Sequence, residues 1–179
     1  MTREYSAPRA SIRVIGVDHD KHQFRGYGGA GWLAFEKYLL EYCQQEQIDL
    51  IAEELNDEAI IKRKAEDSVA RHVARQLNVR HLFCDPDSGQ RRALGIPSFR
   101  EILAGLGPHP DIDLAEAKER DAWPLRERVW LDRLREIPFN ACVMILGSQH
   151  VKSFQSFSRS DAWEVAVVER KWGKGKGAG

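Results

Sequence analysis

The run Phe139-Asn-Ala-Cys-Val-Met-Ile-Leu146 constrains the fold more than any other part of the chain. Its apolar residues do not alternate with polar ones, so a strand formed here must be covered on both faces, as in the middle of a parallel sheet layered with helices. Four further runs have strand length and composition: Ile12–Val17, Ile48–Ala52, Val79–Cys84 and Trp163–Val168. Between them lie segments with helical spacing. Trp32–Gln45 places Leu33, Phe35, Leu39, Leu40 and Cys43 on one stripe, and Asp57 is positioned to cap a long helix from Glu58 to about Leu77. Asp113–Ala122 and Leu125–Ile137 are helical on either side of Pro124, which predicts a kink or two helices. A short helix ends near Phe157. Strands alternating with helices predict an α/β three-layer sandwich with a mostly parallel central sheet of about five strands.

A chain of 179 residues fits a single α/β domain spanning 1–179. The Gly-, Pro- and Arg-rich segment at about 86–112 reads as a loop-rich insertion or lid, with one short helix from Pro97 to Leu106. Residues 171–179 read as a flexible tail. The 27 basic and 27 acidic side chains cancel, so the positive excess that phosphate backbones reward is missing and nucleic acid is not the favoured partner. Cys43, Cys84 and Cys142 are odd in number and form no CxxC pair, which suits buried thiols in a reducing compartment. The start of the chain has no apolar core of a signal peptide, and Ala141–Leu146, the longest apolar stretch, is far too short to span a membrane. The expected location is the cytoplasm.

Parallel sheets collect ligands at the carboxyl ends of their strands. Here the first strand runs into Asp18-His19-Asp20 with His22 close behind, the second into Glu53-Glu54, the third into Asp85 and Asp87, and the apolar strand into Ser148-Gln149-His150. Two imidazoles and a carboxylate on one rim can hold a divalent metal or activate water directly. Neighbouring strand residues point to opposite faces, so only one of Glu53 and Glu54 is expected in the cleft. His72, His81 and His109 have no evident partners and are read as structural. The glycines of Arg25-Gly-Tyr-Gly-Gly-Ala-Gly31 match no phosphate-loop pattern and suit a flexible lid. Arg128 is the arginine best placed to order an active-site carboxylate or clamp an anion.

The elements Gly16-Val-Asp-His19, Ile51-Ala-Glu-Glu-Leu55, Arg126-Glu-Arg128 and Gly147-Ser-Gln-His150, in that order, resemble the superfamily of erythromycin esterases, ChaN-like haem-binding proteins and TraB/Tiki proteins. The resemblance implies one cleft. In it His19 is a water-activating base or metal ligand, Glu54 (or Glu53) its carboxylate partner, Arg128 an orienting cation, and His150 a second ligand or acid. It also implies a divalent metal (Zn, Mn or Co) on His19, Glu54 and His150, with Asp18 as a further ligand. Asp18 stands where some members carry Glu, and the chain is shorter than the full-length esterases, which leaves little room for a macrolide. The expected function is an esterase- or peptidase-like hydrolase acting on a small-molecule or peptide substrate. Two alternatives stand beside it: a non-catalytic small-ligand or haem-binding protein using His19 or His22, and a metal-dependent nuclease using Asp18, Glu54 and Asp85.

Overall fold

A computed structural model describes residues 10–158 and 163–173. The first strand, β1 (Ser11–Val17), sends its side chains alternately to two cores. Ile12 and Val14 join Leu50, Ala52, Cys142, Met144 and Leu146 beneath Trp130, Leu131, Leu134, Val151 and Phe154. Ile15 and Val17 join Ile51, Val143 and Ile145 beneath Phe35, Leu39, Val69 and Val73. The first set of covering residues comes from α7 (Ile112–Arg135) and α8 (Val151–Ser158), the second from α2 (Gly31–Gln45) and α4 (Val69–Leu77). Helices therefore cover both faces of one sheet, which makes the three-layer α/β fold expected from the sequence. Burying a large aliphatic side chain yields about 1.5–3 kcal/mol, so these two cores dominate the folding energy.

The sheet is parallel throughout, in the order β5 (Arg80–Phe83), β3 (Leu50–Glu53), β6 (Ala141–Gly147), β1 and β7 (Glu164–Glu169). The uninterrupted apolar run is β6, in the centre. After β1 the chain packs α2 on one face, and after β6 it packs α8 on the other. The connections leaving these two neighbours diverge and open a crevice at their carboxyl ends, the position where such sheets bind ligands.

The expected helix over 58–77 is broken. Asn56, rather than Asp57, caps α3 (Asp57–Arg63) by accepting from the Ala59 amide at 2.8 Å. Lys64 then ends it in the left-handed region at φ 52°. A short strand β4 (Asp67–Ser68) pairs antiparallel with β2 (Phe24–Arg25), and Ser68 caps α4 through Arg71 N at 2.9 Å. The break brings Ser68 down onto the sheet, where a continuous helix could not place it. By contrast, α7 runs through Pro124 as one helix, so of the expected kink or two helices the second is ruled out. Proline removes one helical hydrogen bond, whereas Ala122, Glu127, Trp130, Leu131 and Leu134 are all buried by keeping the helix continuous.

Segments expected as loops also carry regular structure. Residues 18–31 include α1 (His19–His22) and β2. The insertion holds the expected short helix as α6 (Phe99–Gly105) and, in addition, α5 (Ser88–Ala93), each started by a capping box, Ser98 with Glu101 and Asp87 with Gln90. The start of the expected tail is fixed in place: Trp172 N donates to Gly16 O at 2.7 Å, and the Trp172 ring packs against Phe35, Tyr38 and His22. The leader up to residue 9 and the last six residues lie outside the described residues.

Lys64→Gly distinguishes the broken helix from a continuous one. In a left-handed cap, glycine relieves backbone strain and raises stability by about 0.5–1 kcal/mol, whereas inside a helix it costs about 1 kcal/mol. Urea denaturation is expected to show stabilisation.

Candidate functional site

Alternation along β3 separates the two adjacent glutamates. Glu53, fully buried, points with Ile51 toward α4 and accepts from Ser68 Oγ, from His81 Nε2 at 2.7 Å and from Gln23 Nε2 at 3.4 Å. These donors offset the cost of burying it and tie β3 to β5 and α4. Glu53 is therefore a structural carboxylate, and the reactive role considered for it falls away. Glu54, one residue on, turns toward α7 and into the crevice.

Glu54 stands between the two imidazoles. Its Oε2 accepts from the Gly147 amide at 2.8 Å and lies 3.5 Å from His19 Nε2. Its Oε1 accepts from Arg126 Nη2 at 2.9 Å and lies 3.5 Å from His150 Nε2. Burial alone would raise the Glu54 pKa, but the charges of His19, Arg126 and His150 hold it well below the usual carboxylate range. Burial likewise pushes His19 down, yet the Glu54 carboxylate and the hydrogen bonds to Glu54 and Gln23 win, leaving its pKa raised against the opposition of Arg126.

The surrounding contacts assign the His19 tautomer. Gln23 gives its amide nitrogen to Glu53, so its Oε1 faces His19 Nδ1 and accepts the proton there. That leaves Nε2, beside Glu54, as the nitrogen free to exchange a proton. On the far side His150 is fully buried, with Nδ1 3.0 Å from Glu127 Oε1 and its ring against Trp123 and Trp130. Glu127, also fully buried, accepts from Ser153 Oγ as well. A chain of contacts thus runs Gln23, His19, Glu54, His150, Glu127 across the carboxyl ends of the strands.

Glycines make this approach possible. A Cβ on Gly147 would lie 2.6 Å from His19 Nε2, and one on Gly16 would lie 2.2 Å from the Arg170 carbonyl oxygen. Both distances are too short for any side chain. The first glycine of each GxxH element is thus the residue that lets the strand end, the strap at 170–172 and the imidazole pack together.

The expected arginine is corrected from Arg128 to Arg126. The Arg128 guanidinium lies over the Phe157 ring at 5.7 Å, on the α8 side, while Arg126 bridges Glu54 and Asp85. Two helical steps set the residues about 200° apart around α7, and only Arg126 falls on the face toward Glu54. Asp18 pairs with Lys21 at 3.3 Å, and His22 packs into the aromatic cluster around Phe35 and Trp172, so neither joins the chain of contacts. Asp85 is held by Arg126, Arg91 and Trp130 Nε1, and Asp87 caps α5. Glu127 and Gln23 were missed. Glu127 was readable as a charge on the buried stripe of Trp123, Trp130, Leu131 and Leu134, and Gln23 as the i+4 neighbour of His19.

The donor set does not suit the expected divalent metal. Both Glu54 oxygens already accept, one of them from a guanidinium that would repel a dication. Among the described residues, no group of three or more His, Cys, Asp and Glu is arranged to hold an ion. His19 is the member of the chain that reaches solvent, its side chain 28% exposed against 3% for Glu54 and 0% for His150. With Gly147, Ser148 and Gln149 it lines a cavity of about 340 Å³. A larger cavity, about 830 Å³, lies elsewhere, between Asp57, Phe83 and Ile137. No helix among the described residues is long and apolar enough to cross a membrane. No family model, curated protein or solved structure matches the chain.

Glu54→Gln tests the electrostatic account. It removes the charge that raises His19 and leaves the burial that lowers it, so the His19 pKa is expected to fall from above the ordinary value of 6.5 to below it. Histidine ring NMR against pH measures this. In the wild type the raised pKa stabilises the fold below the unfolded value, a contribution lost as the pH rises through the folded value, and the variant is expected to lack this dependence.

Proposed function

We propose that the protein is a small hydrolase in which His19 activates water. The observation that carries this reading is a cavity-facing imidazole with Nδ1 committed to Gln23 and Nε2 3.5 Å from a buried, ionised carboxylate. In its neutral form His19 accepts a proton at Nε2 from a water molecule in the cavity as that water attacks the substrate. The imidazolium so formed is stabilised by Glu54 and returns the proton to the leaving group. Arg126 and the Gly147 amide keep Glu54 ionised and oriented. Glu127 holds His150 by Nδ1, which keeps the ring against the other Glu54 oxygen.

The order of the GxxH, Glu, Arg and GxxH elements supports placing the chain with the erythromycin esterase, ChaN-like and TraB/Tiki superfamily, with Arg126 in the role first given to Arg128. An ester or an amide is the bond expected to be cleaved, and a cytoplasmic location suits the three buried thiols. The nuclease reading has less support, because Arg126 bridges Glu54 and Asp85 where a pair of vacant carboxylates would be needed. The haem reading has less as well, since His22 Nδ1 accepts from the Asp18 amide and its ring is packed against Trp172.

A panel of activated esters and short peptides tests the proposal. His19→Ala is expected to lower kcat/KM by about 10²–10⁴-fold, the range for a positioned acid–base group. Because the neutral imidazole is the base, kcat/KM should rise with pH through the raised His19 pKa, above 6.5. Activity is expected to survive exhaustive chelation. Loss on chelation with recovery on adding Zn, Mn or Co would replace this mechanism with a metal-bound water, and hydrolysis indifferent to His19→Ala would overturn it.

A further inference from the structure

The wall of the His19 cavity is unevenly charged. Its two aspartates are already matched, Asp18 by Lys21 at 3.3 Å and Asp20 by Arg63 at 2.7 Å. Lys171 also lines the cavity and has no carboxylate partner among the described residues. Its position is built into the fold. The next residue, Trp172, bonds through its amide to Gly16 O at 2.7 Å and seats its ring 5.1 Å from Phe35 and 4.9 Å from His22. A strap anchored this way fixes the backbone that carries Lys171 into the lining of the cavity, which His19 also lines.

Arg63 lines the same cavity. Its guanidinium lies over the Phe24 ring at 4.6 Å and is oriented by Asp20, so it is held in place before any ligand arrives. It also lines a second cavity of about 220 Å³, where Lys62 and Arg91 are accompanied by Glu58 and Asp85. Ser148 and Gln149 add polar side chains to the lining of the His19 cavity. We propose that this cavity recognises an anionic group on the substrate, a carboxylate or a phosphoryl group, between Lys171 and Arg63. The inference rests on the reading of His19 as the reactive group and adds the substrate class: an ester or amide that carries a negative charge close to the bond cleaved. The raised pKa of His19 is in keeping with this, since an imidazolium formed during turnover adds positive charge on the same side. A guanidinium and an ammonium suit the two candidate anions differently, Arg63 by its planar fork and Lys171 as a point charge.

The test is an amide NMR titration of the full chain with acetate, inorganic phosphate and, as the neutral control, acetamide, at ionic strength fixed with chloride. Saturable shifts at Gly147, Ser148 and Gln149 with acetate or phosphate, and none with acetamide, are expected. Lys171→Met and Arg63→Met should each weaken the response at least 5-fold, and Lys171→Arg should restore it. Tighter binding of acetate assigns a carboxylate, tighter binding of phosphate a phosphoryl group. Equal response to acetamide, no saturation by either anion, or variants that bind as the wild type does would overturn the proposal. The titration needs no turnover. Anion binding without hydrolysis would therefore sink the hydrolase reading alone, and hydrolysis without anion binding would sink this inference alone.

Discussion

An ionised carboxylate taken out of water loses several kcal/mol of solvation, and a protein keeps one only by surrounding it with donors and opposite charge. Glu54 is such a group, 3% exposed, with Arg126, the Gly147 amide and two imidazoles arranged about its two oxygens. Those partners come from α7, the end of β6, α1 and the turn before α8, so one charge ties together elements far apart in the chain. Removing one partner of a buried pair typically costs about 3–5 kcal/mol, a large part of the roughly 5–15 kcal/mol that holds a domain folded. The candidate site is therefore part of what stabilises the carboxyl edge of the sheet, and its geometry is as rigid as the core beneath it.

That rigidity depends on the strand order. Placing β6 between β3 and β1 sets the ends of the three strands side by side, with Glu54 bonded through its backbone amide to Ile145 O at 2.8 Å and Ser148 N to Val17 O at 2.9 Å. The backbone bonds set the spacing before any side chain is considered. The two glycines then remove the Cβ atoms that would keep the strap and His19 away. An oriented Nε2 beside an ionised carboxylate follows from register and from two missing Cβ atoms.

The fold was legible in the sequence because it rests on patterns that act locally. The unbroken apolar run at 139–146 could only be a central strand, and the helical spacing at 32–45 could only cover a sheet. The strand ends carrying His19, Glu54 and His150 followed from the same pattern. What escaped was decided by tertiary contact. The break at Lys64 is stabilised by β2 pairing with β4 and by Ser68 reaching Glu53, partners more than ten residues away. Pro124 stays helical because a continuous helix buries Ala122 before it and Glu127, Trp130, Leu131 and Leu134 after it. The choice between Arg126 and Arg128 turns on the rotation of α7 about its own axis, which neighbouring arginines in a sequence do not reveal.

Glu53 and Glu54 show how the same side chain takes opposite roles one residue apart. The strand pleat sends Glu53 to the α4 face, where Ser68, His81 and Gln23 close around it. It sends Glu54 to the α7 face, where a guanidinium and two imidazoles leave a 3.5 Å gap on either side. Gln23 joins the two, donating to Glu53 with its amide nitrogen and accepting from His19 with its oxygen. The structural carboxylate thereby sets the orientation of the amide, the amide sets the tautomer of His19, and the tautomer leaves Nε2 as the atom that faces Glu54. The orientation of the partly exposed imidazole is thus set from within the sheet, by a glutamate that does not line the His19 cavity.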